Sequence, residues 1–453
     1  MRRPHLLYIA LFFPPSRSSG VYRALATVRA FVASGWEVTV ITADERFFED
    51  EIGSVDRSLL EMVPEGVTVE RVPFSFRDPE AAQDLREFGW LKGNFPLLWR
   101  GTRRRLGSLV TAADVLRGRS PLSFPMNDRY LSWIEPVVQR AKRIGHSKKF
   151  DHVLATGNPY ASFEAARVIA AIHDVEFTVD YRDPWAFDMS TSEPAKLSAP
   201  TFAAEKRIVE QAHACIQVND AISEAYIALY PDQAGKQHVV FNGYDELSIP
   251  ESVRGPSQGP LTFGMLGTVT DLWPLGPLFE AWHQTRSQLP QGSKLRLGGH
   301  LGYFSWSAEP LLATFPDTEA GFEYVGPVPK AEVADFYQGL DVVIVALFGG
   351  PMLTAGKVIE VAALGVPILC IQAKDGGGRR FYDTREHPLA IGVDPDPEAI
   401  SRALLEVAEL AAETGTEQRW AVRRDMASYE RMREMQKMVD IVAGARRAVA
   451  ASG

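Results

Sequence analysis

The chain has 453 residues, 46% hydrophobic and 23% charged, the mix of a soluble globular protein. That length exceeds one ordinary core, so two or three domains are expected. A formal charge of −9 argues against a dedicated nucleic-acid binder, and no apolar run approaches the roughly 18–20 residues that span a bilayer. Cys215 and Cys370 are the only cysteines. Each sits in an apolar strand-like run, so neither a disulfide nor a cysteine metal site is expected, and a reducing cytoplasm fits.

The opening MRRPHLLYIALFFPPS imitates a leader peptide, but it has no small-x-small cleavage site and ends in Pro14-Pro15. A first strand over residues 6–13 is the better reading. Residues 20–34 carry Val21, Leu25, Val28 and Val32 at helical spacing and stop at Gly35. Strand signals follow at 36–43, 67–74, 152–156, 177–181 and 214–218, with helical patterns at 160–172 and 202–212. Strands alternating with helices imply a parallel sheet covered on both faces.

Residues 47–149 are the least regular. Between Leu91 and Ser120 lie seven Lys or Arg and one Asp, interleaved with Phe95, Leu97, Leu98 and Trp99. Two readings stay open: contact of residues 88–120 with an anionic membrane or lipid-linked acceptor, or a solvated insertion whose aromatics pack on the sheet. Near Phe241 the text FNGYDELSIPESVRGPSQGP reads as an interdomain linker. A second series of strands is expected at 261–266, 294–297, 321–325, 341–348, 366–371 and 389–393. The expected architecture is α/β: two Rossmann-like, doubly wound domains that meet carboxyl strand ends across a cleft. The first domain covers 1–245, with the basic, aromatic insertion at about 75–150, and the second covers 258–417. The tail 418–453 is a helix able to pack back on the first domain.

The most informative stretch is PMLTAGKVIEVAALGVPILCI, residues 351–371. A short helix is expected from Thr354, a good N-cap, to Gly365, a good C′ residue. Lys357 and Glu360, three apart, share one face near amides suited to a phosphate. An ordinary βαβ turn with a surface ion pair reads equally well from this segment alone. The stretch resembles the nucleotide-sugar site of retaining glycosyltransferases of the GT-B fold, family 4. In that family the pattern is roughly Lys-x-x-Glu-x-x-Ala-x-Gly-x-Pro, the Lys facing the diphosphate and the Glu the ribose.

The resemblance covers most of the chain. FPPSRSSGVYRALATVRAFVASGWEVTVIT is similar to the family's opening strand, Gly loop and helix, which makes Ser19, Gly20 and Arg23 acceptor-side candidates. ATGNPYASF and VDYRDPWAF resemble a subgroup's paired turns. They bring in Asn158 and Tyr160 on the acceptor side, and Arg182 and Asp183 as groups that orient an acceptor hydroxyl or a phosphate. LTFGMLGTVTDLWPLGPLFEAW resembles the strand and Gly loop of the donor domain, with Gly267 and Thr268 at the diphosphate. EYVGPVPKAEVADFYQGLDVVIV is similar to the segment whose backbone contacts the base, at Val325 and Gly326. The sequence departs from the family in two places. The Arg and Lys expected after Gly267 are absent, and Met352 stands where the first of two spaced Glu would be. Replacement charge is expected from Lys357, or from AKDGGGRRFYD, where Gly376, Gly377 and Gly378 could form an anion nest beside Arg379 and Arg380.

No dinucleotide fingerprint, Walker loop, nucleophile elbow or metal-spaced His motif occurs, so no cofactor or metal is expected. The resemblance implies transfer of a sugar from a nucleoside diphosphate sugar to an acceptor hydroxyl, with retention. Two alternatives are a nucleotide-sugar 2-epimerase of the same architecture and a degenerate partner subunit that has lost its phosphate cations.

Overall fold

The computed structural model describes residues 2–75, 130–189, 191–302, 308–317, 320–354 and 356–452. Among them, thirteen strands form two sheets, each parallel throughout. The first has the order β3-β2-β1-β4-β5-β6-β7, from β1 (His5–Ile9), β2 (Glu37–Ala43), β3 (Thr68–Val72), β4 (His152–Gly157), β5 (Phe177–Tyr181), β6 (Ala214–Gln217) and β7 (Gln237–Val239). The second has the order β10-β9-β8-β11-β12-β13, from β8 (Thr262–Leu266), β9 (Lys294–Gly298), β10 (Phe322–Gly326), β11 (Val342–Ala346), β12 (Ile368–Ile371) and β13 (Ala390–Val393).

The central strands are buried on both faces, as parallel strands with helical crossovers must be. Leu7, Ile9 and Leu11 enter one cluster while Leu6, Tyr8 and Ala10 enter another, the period-two alternation of a strand between two helical layers. Register is tight at the centre: Ile9 lies opposite Ile41 on one side and Ala155 on the other. In each sheet the winding reverses once, between β1 and β4 and between β8 and β11. Loops leaving the carboxyl ends of those four strands frame the ligand-binding crevices of such sheets.

Three local features depart from expectation. β7 lies just ahead of the linker, and its three residues Gln-His-Val carry too little apolar signal to announce it. Residues 134–145 lie inside the stretch read as irregular, yet Ile134–Gly145 is a helix that buries Val137, Val138 and Ala141 against the first core. The helix after β11 runs only Val358–Ala362, with Lys357 rather than Thr354 at its start. Gly365 does take a left-handed φ of 68°, closing the turn into β12. The C-terminal helix Arg431–Ser452 lays Met435, Met438, Val439 and Val442 against Val21, Leu25 and Val28 of the helix Val21–Ala33. The chain thus returns to its first domain at the end. Cys215 and Cys370 are free and buried in different sheets. The basic stretch 88–120 lies outside the described residues. Among the described residues no helix is long and apolar enough to cross a membrane.

Candidate functional site

At the β1/β4 switch of the first sheet the expected residues converge. Arg182 follows β5; its Nε donates to the Gly157 carbonyl at 3.0 Å and its Nη2 to the Asn158 carbonyl. Nη1 lies over Gly20, where an added Cβ would sit 1.3 Å from it. Gly20 is therefore required by a side chain packed on it from across the sheet edge, its own φ of −69° being ordinary. Arg182 has no carboxylate partner among the described residues, so its charge remains available at the edge. Asp183 is half-buried, and burial pushes its carboxyl above the ordinary range against the opposing pull of Arg182. Tyr160 stacks on Trp185 with ring centroids 4.7 Å apart, and its hydroxyl donates to the carbonyls of Asp183 (3.3 Å) and Pro184 (2.9 Å). Tyr160 thus holds the Arg182 loop from below rather than presenting its hydroxyl to a ligand. Ser19 and Asn158 are exposed beside this group.

Arg23 stands apart. It is 3% exposed and clamps the buried Asp180 of β5 through Nε and Nη2, at 2.6–3.1 Å. Nη1 donates to the Phe241 carbonyl (3.1 Å) and to Asn242 Oδ1 (3.2 Å). All its donors face inward, so the expectation of an acceptor contact at Arg23 is corrected. It is a strut between the first sheet and the interdomain linker.

At the β8/β11 switch of the second sheet, Lys357 Nζ bonds Glu360 Oε1 at 2.5 Å, and Tyr337 Oη donates to the same oxygen at 2.8 Å. Glu360 is buried while Lys357 keeps about a third of its side chain in solvent (34%). The pair shares one face, as its spacing requires. Gly267 and Thr268 leave β8 half-buried, but the Gly267 amide already donates to the Gly298 carbonyl at 3.1 Å. That amide is not free for a phosphate. Val325 is exposed, and Gly326 ends β10 with its carbonyl bound by the Gly299 amide at 2.8 Å.

The Gly-Arg loop is not an open nest. The helix Gly377–Thr384 starts there, and its first amides are already bonded: Gly377 to the Gly350 carbonyl (3.3 Å), and Gly378 and Arg379 to Gln372 Oε1 (2.8 and 3.3 Å). A Cβ on Gly377 would meet Thr354 Oγ1, Pro351 O and Leu353 O within 2.6–2.8 Å. Arg379 turns to Asp394 (3.1 Å), and Arg380 pairs with Glu224 of the first domain. Arg385 reaches Asp220 at 3.1 Å. The loop amides and Arg379 are thus bound within the second domain and Arg380 and Arg385 are paired to the first, which corrects the expectation of a phosphate cradle at Gly377, Gly378 and Arg379.

Met352 completes the joint. It is 3% exposed and enters the first domain's core, its amide bound by Ser192 Oγ (3.2 Å) and its carbonyl by Asn219 Nδ2 (3.0 Å). Asn219 also reaches Thr354 Oγ1 at 3.3 Å. The loop leading to Lys357 is thus pinned to the opposite domain.

No protein-family model and no curated protein sequence matches the chain. Solved structures do. A glycosyltransferase from Rickettsia africae superposes with a TM-score of 0.62 at 12% identity, over 98% of this chain and 99% of that one. Sucrose-phosphate synthase from Thermosynechococcus elongatus gives 0.61 at 16% identity over the whole of both chains. Anabaena HepE in complex with UDP-glucose gives 0.59 at 13%, over 99% of each. The fold is GT-B. A UDP-N-acetylglucosamine 2-epimerase shares this architecture with a TM-score of 0.51 at 11% identity, over 97% of this chain and 95% of that one.

Within this GT-B frame, sequence reasoning missed Asn219, Ser192 and Tyr337. Asn219 carried a signal, since Asn-Asp ahead of a helical pattern marks an N-cap at a strand's carboxyl end; its Oδ1 does cap the Ile222 amide at 2.9 Å. Ser192 and Tyr337 carried none, because their partners lie 160 and 23 residues away. Among the described residues no group of three or more His, Cys, Asp or Glu gathers to hold a metal ion.

Proposed function

We propose that this chain transfers a hexose-like sugar from a nucleoside diphosphate sugar to an acceptor hydroxyl, with retention and without a metal, in the manner of glycosyltransferase family 4. The observation that carries the reading is the Lys357–Glu360–Tyr337 group at the β11 crevice. Glu360 is buried and oriented by two donors, which leaves Oε2 for ribose hydroxyls. The Lys357 ammonium has two further N–H donors for phosphate oxygens. Arg182 supplies a second cation from the facing domain, and Asp183 with Ser19 and Asn158 shapes the acceptor side.

In the reaction, the bond from C1 to the diphosphate oxygen breaks and the acceptor oxygen bonds to C1 from the same face. The acceptor proton passes to the departing phosphate oxygen. The protein contributes positioning and stabilisation of the charge that grows on the leaving group. The acceptor belongs to cell-envelope polysaccharide, glycolipid or natural-product glycoside synthesis in the cytoplasm, with residues 88–120 touching a membrane surface in the lipid-linked case.

A second reading rests on the docked loop. With Arg379, Arg380 and Arg385 each committed to a carboxylate, a partner subunit without turnover is its natural form. Incubation with UDP-, GDP-, ADP- and dTDP-hexoses, with and without acceptors, separates the possibilities. Nucleoside diphosphate release supports transfer, and sugar interconversion without acceptor indicates a 2-epimerase. Failure to bind any nucleoside diphosphate at millimolar concentration in calorimetry favours the partner subunit.

A further inference from the structure

Beneath the Arg182 loop lies a buried acid that the proposed chemistry does not use. Glu205, on the helix Ala199–Gln211, is fully buried. The hydroxyl of Tyr226 donates to its Oε1, and that of Tyr230 to its Oε2 at 3.2 Å. The Tyr226 oxygen in turn accepts the backbone amides of Trp185 (2.9 Å) and Ala186 (3.2 Å), the two residues that follow Arg182-Asp183-Pro184. We propose that Glu205, acting through Tyr226, is a positioning residue that holds the Arg182–Asp183 loop at the cleft. This rests on the sugar-transfer reading for its consequence, though not for its geometry.

The direction of the effect follows from donor counting. A carboxylate only accepts, so it takes both tyrosine protons and leaves the Tyr226 oxygen free for the two amides. A protonated Glu205 carries a proton of its own to donate, and the nearest oxygens are those of Tyr226 and Tyr230. It then competes with the loop amides. Burial raises Glu205 to about 7, opposed by its bonds from Tyr226, Tyr230 and the Ala186 amide. The other titratable groups facing it are Tyr181 of β5 and Cys215 of β6, both pushed up by burial and neutral in this range. Ionisation through pH 7 therefore fastens the loop. The stability sign is opposite: a carboxyl raised on folding adds stability below its unfolded value of about 4.5, and that stability is lost as pH rises through about 7. A merely structural Glu205 would leave kcat flat through this range while the chain stays folded, whereas a positioning Glu205 makes it rise.

The test uses the full chain, its Glu205→Gln and Tyr226→Phe variants, and Trp185→Phe for spectral subtraction. The Trp185 emission should change with a midpoint near pH 7 in the native chain and show no transition in Glu205→Gln. With a donor found by the screen, kcat should rise through the same pH. It should fall about tenfold in both variants at pH 8, with the donor KM within twofold. A Trp185 signal flat from pH 5.5 to 8.5, or a Glu205→Gln enzyme with native kcat and pH profile, overturns the proposal. A Trp185 transition that is lost in Glu205→Gln, in a chain inactive with every donor, upholds the brace and sinks only the sugar-transfer reading. Should Glu205→Gln fail to fold, Tyr226→Phe, which deletes one oxygen, decides: native kcat in that variant overturns the proposal.

Discussion

The carboxyl edges of the two sheets treat their charges differently. On the first edge, Arg182 is fixed by two carbonyl oxygens and has no carboxylate salt-bridge partner among the described residues. On the second, Arg379 and Arg380 lie in the stretch that a motif reading would favour most, yet each meets a carboxylate, and Gly377 just ahead of them packs against Pro351, Leu353 and Thr354. Proximity to a crevice is therefore not availability. A cation held by neutral acceptors can serve a ligand, whereas one held by a carboxylate has already lost most of the field it could offer.

The contrast can be broken at several points. The largest effect is expected at the buried Arg23–Asp180 pair, where Arg23→Ala leaves an uncompensated carboxylate and should cost about 3–5 kcal/mol in denaturant unfolding. A loss below 1 kcal/mol would mean that the strut does not join sheet and linker. Gly20→Ala comes next. The backbone there tolerates alanine, so the clash falls on Arg182 alone. Turnover should drop on the order of a hundredfold, comparable to losing one electrostatic donor, with the melting temperature nearly unchanged. The double variant Gly20→Ala/Arg182→Ala should be no worse than Arg182→Ala, and additive losses would refute the steric account. The smallest effect belongs to Arg379→Gln. Because Arg379 is spent on Asp394, donor affinity should change less than about threefold, within the range of an exposed ion pair. A tenfold loss would restore Arg379 to the phosphate.

The two-sheet architecture was legible because parallel strands buried on both faces read as short apolar runs, and LLYIA, VTVIT, VVIVA and PILCI stand out among polar helices. β7 and the helix Ile134–Gly145 were not, since the first is three residues long and the second alternates Lys and Arg with its buried face. The site was legible in part. Lys357 and Glu360 meet because helical spacing guarantees it, and Arg182 meets Gly20, Gly157 and Asn158 because all leave neighbouring strands at one end. The choice of partner was not legible. Nothing local tells Arg380 to seek Glu224, 156 residues away, or tells Met352 to leave its own domain for the core of the other. Partner choice is a tertiary decision: the expected nest is closed by Gly350, Gln372 and Asp394 of its own domain, while Arg380 is drawn to Glu224 of the other.

The proposed donor site is centred on the buried Glu360 carboxylate beside β11. Calorimetric titration of the native chain and of Glu360→Ala with a nucleoside diphosphate sugar tests it most directly. The native chain should bind, and the variant should bind at least tenfold more weakly, about 1.4 kcal/mol, while keeping its fold by circular dichroism. Equal affinity of the two proteins would contradict the assignment of Glu360 to the ribose and, with it, the placing of the donor in the second domain.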